Sequence, residues 1–500
     1  MPIAGQMARQ SETDSPGSAI DLKVVHLVAE YWPYARTGGL AEAVRGIATF
    51  QAATGTQVAV FMPLYRSVRE AYPTLESVWS FSFEIGSRRE EGQLFRLSGE
   101  RGNPNVFFVA SEEYFDRAGI YGDDSGDYAD NPRRFAFFNR AVLEALPELI
   151  HVPAAVHAHD WHTALAPVYL RTILAGHDLY DRMATILSIH NAGYQGHFPP
   201  HTILDVGLPP RFFHWKWLEW YGKVNLLKGG MAFSDYVTTV SPTHAHELRT
   251  PAGGFGLHHS FIGMQDRFMG ILNGIDLDVW DPTTDGEIEE IFSLDDLSGK
   301  ASCKAALQRE YGLRTDPALP LFGMTARLVE QKGIDLVLEA KALYEAEAQF
   351  IFLGKGEQRY EDALRSVAAA RPEHVALETG FREDREHRLL AGADLLLMPS
   401  LYEPCGLTQM RAQRYGAIPV ARRVGGLADT VDDQVTGFLF DEYTAEALDL
   451  AIDRAIDLYL AGPETWEPHV REAMSRDFGW QRSADRYLDI YRSALAAHQP

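Results

Sequence analysis

The sequence predicts an α/β protein made of two doubly wound, Rossmann-like domains that face each other across a deep cleft. Two observations lead to this prediction. Short apolar runs alternate with helix-like segments, which is typical of parallel sheets covered by helices. The runs fall into two sets that divide near residue 270, and 500 residues are too many for one ordinary hydrophobic core.

The apolar runs predict the order of the strands and the limits of the domains. The runs lie at 23–30, 57–63, 105–110, 154–160, 184–191 and 236–242, then at 268–275 as a crossing strand, and then at 319–327, 348–356, 374–381, 393–400 and 417–426. We therefore expect domains at 21–268 and 269–480, and a last helix at 481–500 that packs back on the first domain. Residues 1–20 lack an apolar segment and are predicted to be a disordered leader.

The composition is that of a soluble globular protein, with 46% hydrophobic and 23% charged residues. A net charge of −23 argues against a nucleic acid or an anionic membrane as the partner. The sequence contains no apolar run of about 18 residues, which is the length that a transmembrane helix needs. The two cysteines, Cys303 and Cys405, cannot make a disulfide framework, so we expect a reducing, cytoplasmic location.

Polar side chains and glycines follow many of the predicted strands. In open parallel sheets, ligands bind beyond the carboxyl ends of the strands. Residues in this position occur in both halves, at Arg36–Gly39, Asp160, His190–Asn191, Asn273, Arg327, Lys332, Gly354 and Glu403. We therefore expect one cleft that both domains line, with Glu403 facing Arg327 and Lys332.

One short segment occurs twice, as GGLAEAV at 38–44 and as GGLADTV at 425–431. Both copies follow a predicted strand and begin a helix. Glycine at such a turn lets a ligand approach the backbone, and a helix N-terminus favours an anion. A tight strand–helix turn without any ligand explains each copy equally well, so both interpretations stay open.

Longer motifs occur in order along residues 22–495: RTGGLAEAV, HAHDWHTALAPVYL, SIHNAGYQGHFP, VSPTHAHEL, GILNGIDLDVWDP, TARLVEQKGIDL and PSLYEPCGLTQMRAQRYG. Together they resemble the bacterial glycogen synthases and the plant starch synthases. This resemblance implies a two-domain glycosyltransferase of the GT-B type. It also implies that glucose is transferred, with retention, from a nucleotide sugar to the non-reducing end of an α-1,4-glucan.

The resemblance assigns Arg327 and Lys332 to the diphosphate of the donor. As the glycosidic bond breaks, the leaving group gains negative charge, which fixed cations stabilise most strongly in the transition state. Glu403 is expected to hydrogen-bond the hydroxyls of the donor sugar. Each assignment has a plainer alternative, namely a surface pair of cations and a carboxylate that offsets a helix dipole.

The resemblance also implies catalytic roles for His190, near the 6-hydroxyl of the donor sugar, and for Asp160 in the same cleft. The N–H groups of Gly406 and Leu407 are expected to meet the sugar or the phosphate. The residues expected to bind the substrates are Arg36, Thr37, Gly38, Gly39, Glu42, Tyr121, Asn191, Asn273, Gly354, Phe381, Cys405, Gly406, Leu407 and Thr408.

Four positions depart from the pattern of the family or of its relatives. Arg36 replaces a lysine, Glu42 replaces an aspartate, and Phe381 replaces the tyrosine that is common beside the base. Eight positions after Glu403, where related glycosyltransferases outside this family carry a second glutamate, this chain has Arg411. A paired-carboxylate mechanism is therefore not expected. The choice between ADP-glucose and UDP-glucose stays open, although the relatives favour ADP-glucose.

A group of possible metal ligands, His157, His159, Asp160 and His162, lies in the motif HAHDWH. In a strand, His157 and His159 share one face while Asp160 points to the other, so the side chains do not converge on one metal. We therefore expect no metal at this motif, and the resemblance implies no cofactor.

A second metal-binding pattern, D-x-D, occurs at Asp276 and Asp278. In an extended segment these two side chains would share a face, so geometry alone does not exclude a metal. However, Arg327 and Lys332 already supply positive charge to the diphosphate, which makes a metal there redundant. We expect catalysis without a metal.

Other classes of protein make different predictions. A retaining glycosyltransferase with a small sugar or sugar phosphate as acceptor would saturate with that acceptor and elongate no glucan. A non-catalytic binder on the same fold would lack Arg327, Lys332 or Glu403, and all three are present. A dinucleotide-dependent oxidoreductase is disfavoured because GKG at 354–356 lacks the full G-x-G-x-x-G pattern.

Overall fold

The computed structural model describes residues 22–97, 103–123, 125–150, 154–380 and 382–498. The predicted leader at 1–20 and Phe381 therefore lie outside the described residues. Each half of the chain forms a sheet whose central strands run parallel. The predicted fold class, two α/β halves with doubly wound sheets, is confirmed.

The first sheet contains nine of the described strands, and the predicted apolar runs form its centre. The strands Ala155–His159 and Ala184–Ile189 are buried at every position, as expected for parallel strands with both faces covered. In spatial order the strands are Phe268–Gly270, Tyr236–Thr239, Ala184–Ile189, Ala155–His159, Lys23–Leu27, Gln57–Pro63, Asn105–Ala110, Arg88–Leu97 and Glu76–Ile85.

Two strands at one side of the first sheet, Glu76–Ile85 and Arg88–Leu97, have no counterpart among the predicted strands. They form an antiparallel hairpin that pairs with Asn105–Ala110. Exposed and buried positions are interspersed along them, and charged residues interrupt any apolar run. A search for fully buried strands therefore misses this hairpin, because one of its faces is solvated.

Helices and short strands connect and cover the first sheet. The short strands are Gly122–Asp123, Gly126–Asp127, His197–Phe198, Glu219–Trp220 and Lys223–Asn225. The helices are Gly39–Ala53, Arg66–Ala71, Glu112–Phe115, Asn131–Leu149, Asp160–Thr163, Leu165–Leu170, Asp178–Asp181, Thr202–Asp205, Leu226–Phe233, Pro242–Glu247 and His258–Gly263.

The second sheet contains six of the described strands, all parallel. In spatial order they are Val375–Thr379, Gln349–Gly354, Leu321–Thr325, Leu395–Met398, Ile418–Arg422 and Phe438–Phe440. Its helices are Ser298–Glu310, Ile334–Glu339, Ala342–Glu345, Gln358–Ala370, Glu383–Gly392, Thr408–Arg414, Gly425–Thr430, Ala445–Leu460 and Pro463–Met474. Within the described ranges of the whole chain, no helix has both the length and the apolar character needed to span a membrane.

The last helix, Gln481–Ala496, leaves the second half and packs against the first sheet. Its buried face, which includes Tyr491, shares an apolar cluster with Ile186 of that sheet. The chain therefore crosses between the halves twice. The strand Phe268–Gly270 pairs with Tyr236–Thr239, so the first sheet extends just past the predicted boundary at residue 268. The domain limits as a whole stay a prediction.

Direct hydrogen bonds join the two halves. The backbone N–H and the hydroxyl of Thr243 donate to the carboxylate of Asp429 at 2.9 Å and 2.6 Å. The backbone N–H of Gly425 donates to the carboxylate of Glu247 at 2.9 Å. These contacts hold the carboxyl ends of the two sheets close enough to form one site.

Candidate active site

Glu403 follows the strand Leu395–Met398, and only 5% of its surface is exposed. Its Oε2 accepts hydrogen bonds from Lys332 Nζ at 2.5 Å and from Ser400 Oγ at 3.0 Å. The lysine belongs to a turn that follows the neighbouring strand, Leu321–Thr325. Adjacent parallel strands end at the same edge of a sheet, and this edge brings the two side chains together.

Backbone contacts also join these two strand ends. The N–H of Leu401 donates to Gln331 O at 2.9 Å, and the side-chain amide of Gln331 donates to Tyr402 O at 3.3 Å. Gly333 has a φ of 72°, and a Cβ on it would stand 2.1 Å from Pro399 O. Only glycine fits this position, so the turn with the lysine is fixed against the loop with the glutamate.

Arg327 lies just past the strand Leu321–Thr325, and its side chain is exposed. Burial raises the pKa of the Tyr402 phenol, and the positive charge of Arg327 opposes this rise. The arginine is therefore within electrostatic reach of the loop that carries Glu403. Together with Lys332, it places two cations at the carboxyl edge of the second sheet.

The second copy of the repeated segment, at 425–431, supports the backbone of Glu403. The N–H of Gly426 donates to Glu403 O at 3.1 Å. Gly425 has a φ of 44°, and a Cβ on it would stand 1.9 Å from the same oxygen. In the first copy, by contrast, a Cβ on Gly38 would have no neighbour within 4 Å among the described residues. The second copy is thus a tight turn, and contact with a ligand stays a prediction for both copies.

Glu30 orders the loop of the first copy, and it is not among the predicted site residues. It is buried, and its carboxylate accepts hydrogen bonds from the N–H of Thr37, from Thr37 Oγ1 at 2.6 Å and from the N–H of Gly38 at 3.3 Å. The hydroxyl of Tyr121 donates to it at 2.5 Å. The signal in the sequence is a single acid at the end of the apolar run KVVHLVAE.

Asp160 is the first residue of a short helix, and its own φ is 57°. Its carboxylate binds the backbone that follows the strand Ala184–Ile189. Its Oδ1 accepts the N–H of His190 at 2.7 Å and the N–H of Asn191 at 3.4 Å. Burial raises the pKa of Asp160 to about 7, and the two N–H donors oppose this rise. Burial lowers the pKa of His190 to about 3, so its half-buried ring is neutral.

Glu42, a predicted substrate-binding residue, forms ion pairs that join the two halves. Its carboxylate contacts Arg36 Nη1 at 2.5 Å and also pairs with the guanidinium of Arg411 in the second half. Arg411 is buried, and it pairs with Glu386 at 3.2 Å as well. Three of the four departures from the family pattern are therefore in contact with one another. A cavity of about 450 Å³, lined by both halves, lies beside them.

The other predicted residues of the second half lie at the crossing between the halves, at a strand end or in the loop after Glu403. Burial raises the pKa of Cys405 to about 12, so it is a neutral thiol. A Cβ on Gly39 would stand 3.9 Å from Leu407 Cδ1, which shows that this loop approaches the first half. The set comprises Asn273, Gly354, Cys405, Gly406, Leu407 and Thr408, whereas Phe381 lies outside the described residues.

The D-x-D segment is a turn, which corrects the extended geometry expected from the sequence. The Asp276 carboxylate accepts the N–H of Asp278 at 3.1 Å and the N–H of Val279 at 3.3 Å. A carboxylate that caps its own turn in this way is engaged locally. The two aspartates therefore do not share one face of a strand.

A histidine cluster with the spacing of metal ligands does occur among the described residues, but its members differ from those considered in the sequence. His26, His157 and His159 place nitrogen atoms within 4.8 Å of one another, whereas Asp160 is bonded to the backbone of His190. Each ring nitrogen of the three histidines has a hydrogen-bond partner. The cluster is thus satisfied by protein groups.

The chain is similar to known proteins over almost its whole length. Residues 23–262 match the starch synthase catalytic domain, and residues 309–467 match glycosyl transferases group 1. The chain is 42% identical over 480 residues to glycogen synthase 2 of Geobacter sulfurreducens, which covers 95% of this chain and 99% of that protein. It is 41% identical over 486 residues to the glycogen synthase of Syntrophotalea carbinolica, and this match covers 95% of this chain and 100% of that protein.

Solved structures show the same relationship. The catalytic domain of starch synthase IV from Arabidopsis thaliana, bound to ADP and acarbose, matches with a TM-score of 0.85 and 32% identity over 95% of this chain and 99% of that one. Sucrose-phosphate synthase from Thermosynechococcus elongatus shares the fold, with a TM-score of 0.62 and 18% identity over 95% and 100%. With over 40% identity to full-length relatives, the chain belongs to the glycogen and starch synthase family of glycosyltransferases.

Proposed function

We propose that this protein elongates an α-1,4-glucan by transferring glucose, with retention, from ADP-glucose to the non-reducing end. Glycogen synthases at 42% and 41% identity support this reaction. The ADP in the starch synthase IV structure supports an adenine nucleotide as the leaving group. The two free cysteines, Cys303 and Cys405, support a reducing, cytoplasmic location.

The observation that carries the proposal is the pair of cations at the carboxyl edge of the second sheet. Lys332 is fixed by its 2.5 Å contact with Glu403, and Arg327 stands beside the same loop. When the bond from C1 of the glucose to the phosphate oxygen breaks, its electrons go to the diphosphate. Cations already in place stabilise this charge more strongly in the transition state than in the bound substrate.

Glu403 has two roles in this proposal. A carboxylate offers about four acceptor positions, so it can hold Lys332 and also accept a hydroxyl of the donor sugar. Arg411, eight positions on, is paired with Glu42 and Glu386. The chain thus places no second acid there for a double displacement. The proton of the acceptor 4-hydroxyl leaves with the released nucleoside diphosphate.

The test is to incubate the purified protein with glycogen and either ADP-glucose or UDP-glucose. Released nucleoside diphosphate and glucan chain length are measured together. We expect elongation with ADP-glucose and a lower kcat/KM with UDP-glucose. If neither donor elongates glycogen while fructose or glucose 6-phosphate accepts the glucose, the glucan assignment is wrong and the enzyme has a small acceptor.

Removing the cations separates their role from that of a metal. Lys332→Ala and Arg327→Ala are each expected to raise the barrier by about 2–4 kcal/mol, as loss of one preorganised charge-stabilising group does. Excess EDTA is expected to change the rate by less than about twofold, since side chains meet the diphosphate charge. Arg359→Ala, which removes an exposed arginine paired with Glu357, is the matched control. Loss of activity in EDTA that Mg²⁺ restores would move the diphosphate site to a metal.

A further inference from the structure

A chain of side-chain hydrogen bonds leads from the last helix to His190. Gln51 Nε2 lies 3.2 Å from Tyr491 Oη, and Gln51 Oε1 lies 3.0 Å from His26 Nε2. His26 Nδ1 lies 3.0 Å from His159 Nε2, and His159 Nδ1 lies 3.0 Å from His190 Nε2. The four residues behind His190 are each at most 1% exposed, so water does not compete for these bonds.

Burial keeps the imidazoles in this series of hydrogen bonds neutral. It lowers the pKa of His26 to about 4, that of His190 to about 3 and that of His159 well below its usual range. A neutral imidazole has one N–H donor and one acceptor nitrogen. Each link then needs a donor on one ring and an acceptor on the next, so the tautomer at one end determines all the others.

Gln51 determines the direction of the chain, because its carbonyl oxygen faces His26 and can only accept. His26 therefore carries its proton on Nε2, and its Nδ1 accepts from Nε2–H of His159. His159 Nδ1 in turn accepts from Nε2–H of His190. The proton of His190 is thus on Nε2, and its Nδ1 is left with a lone pair.

Tyr491 holds the Gln51 amide in this orientation. The amide N–H donates to the tyrosine hydroxyl at 3.2 Å, and the hydroxyl oxygen lies 2.7 Å from His157 Nδ1. His157 Nε2 lies 2.6 Å from Ser188 Oγ. Reversal of the amide would require every proton in this network to move.

We propose that Gln51 and Tyr491 are positioning residues that hold Nδ1 of His190 unprotonated, so that the ring accepts a hydrogen bond from one hydroxyl of the donor sugar. The inference rests on the proposed glucosyl transfer and states how its donor is recognised. A metal bound to His26, His157 and His159 would occupy nitrogen atoms that these hydrogen bonds use, so the proposal excludes one.

The first experiment measures the tautomer directly, without substrate. Nitrogen-15 NMR of histidine-labelled protein distinguishes an N–H nitrogen from an acceptor nitrogen, and His190→Asn identifies the signals of this residue. We expect the Nε2–H tautomer of His190 in the unmodified protein and a mixture of tautomers in Gln51→Leu. The Nδ1–H tautomer in the unmodified protein, or one equivalent of bound metal by elemental analysis, would overturn the proposal.

The second experiment uses donors that each lack one hydroxyl of the glucose. Gln51→Leu and Tyr491→Phe are expected to lower kcat/KM for the complete donor by about tenfold, the effect of one hydrogen bond. The loss should fall below about twofold for one of the deoxy donors, because that donor has no hydroxyl to offer His190. Equal losses for every donor would mean a general structural role and would overturn the proposal.

One control variant keeps this test interpretable. Tyr169→Phe removes a buried hydroxyl that donates to Val206 O at 2.6 Å and takes no part in the hydrogen bonds between Tyr491 and His190. This control variant should leave kcat/KM unchanged. If the unmodified protein transfers no glucose, the proposed function fails, whereas the NMR experiment still decides the tautomer.

Discussion

At the scale of single residues, Glu403 is the group on which the candidate site depends most. Its carboxylate is buried and holds Lys332. Glu403→Ala is expected to lower kcat by at least ~10²-fold, since a group at the reacting centre contributes a few kcal/mol to the barrier. Steady-state kinetics with saturating donor and glycogen measure this loss.

The control for Glu403 is a buried carboxylate remote from the cleft. Glu90→Gln alters such a group, which accepts a hydrogen bond from Tyr114 Oη at 3.0 Å in the first half. It should keep full turnover. Turnover retained in a folded Glu403→Ala protein would reduce Glu403 to a charge near a helix end.

Asp160 makes the stability of the protein depend on pH. Its pKa is about 7 when folded, whereas an exposed aspartate titrates near pH 4. Between about pH 4 and pH 7 the folded state therefore holds a proton that the unfolded state has released, so this residue lowers the free energy of unfolding as the pH rises. In urea unfolding at pH 5 and pH 8, the change in stability from pH 5 to pH 8 should be more favourable for Asp160→Asn than for the unmodified protein, because only the contribution of Asp160 differs between them. An unchanged difference would show that Asp160 does not titrate in this range.

The sequence was enough to predict that Glu403 and Lys332 lie together, for a physical reason. Glu403 and Lys332 both follow predicted strands, and adjacent parallel strands end at one edge. Glu30 also lies at the end of a predicted strand, so the same argument could have identified it from the sequence. The contact of Glu42 with Arg411 could not be predicted in this way, because it depends on how the two halves are placed relative to each other.

At the scale of elements, the two copies of the repeated segment have different roles. Gly425 has a positive φ and lies against the backbone of Glu403. The backbone of Gly38 is extended instead, and a Cβ added to Gly38 would have open space around it. Gly425→Ala is therefore expected to destabilise the protein by about 2 kcal/mol or more, since strain and a steric clash combine. Thermal unfolding of Gly425→Ala and Gly38→Ala provides the comparison. Equal stability of the two variants would contradict the assignment of the second copy as a structural turn.

The elements themselves were predictable to different extents. The central strands are short, apolar and buried on both faces, so their pattern is unambiguous. The hairpin of Glu76–Ile85 and Arg88–Leu97 has a solvated face and resembles loop sequence. Asp276 shows a further difficulty, because a carboxylate that caps its own turn and one that binds a metal look alike in sequence.

At the scale of the whole molecule, the site needs both halves to be close together. Two contacts hold the halves close together in this structure, one between Thr243 and Asp429 and one between Glu42 and Arg411. We expect donor and glucan together to compact the protein in solution, by rotation near residues 268–275 and before the last helix. Small-angle X-ray scattering should show a smaller radius of gyration with both substrates. Asp429→Ala, which lies outside the predicted site, should reduce this change, and no compaction of the unmodified protein would contradict it.

The return of the last helix to the first sheet has a consequence for synthesis on the ribosome. Ile186 packs in one cluster with Tyr491, yet the helix Gln481–Ala496 begins about 210 residues after Gly270 ends the first sheet. At about 5–20 residues per second, roughly 10–40 s therefore pass between the synthesis of the first sheet and that of the helix that covers this apolar surface. A nascent chain in this state offers that surface to chaperones, and its folding finishes only when the helix emerges from the exit tunnel.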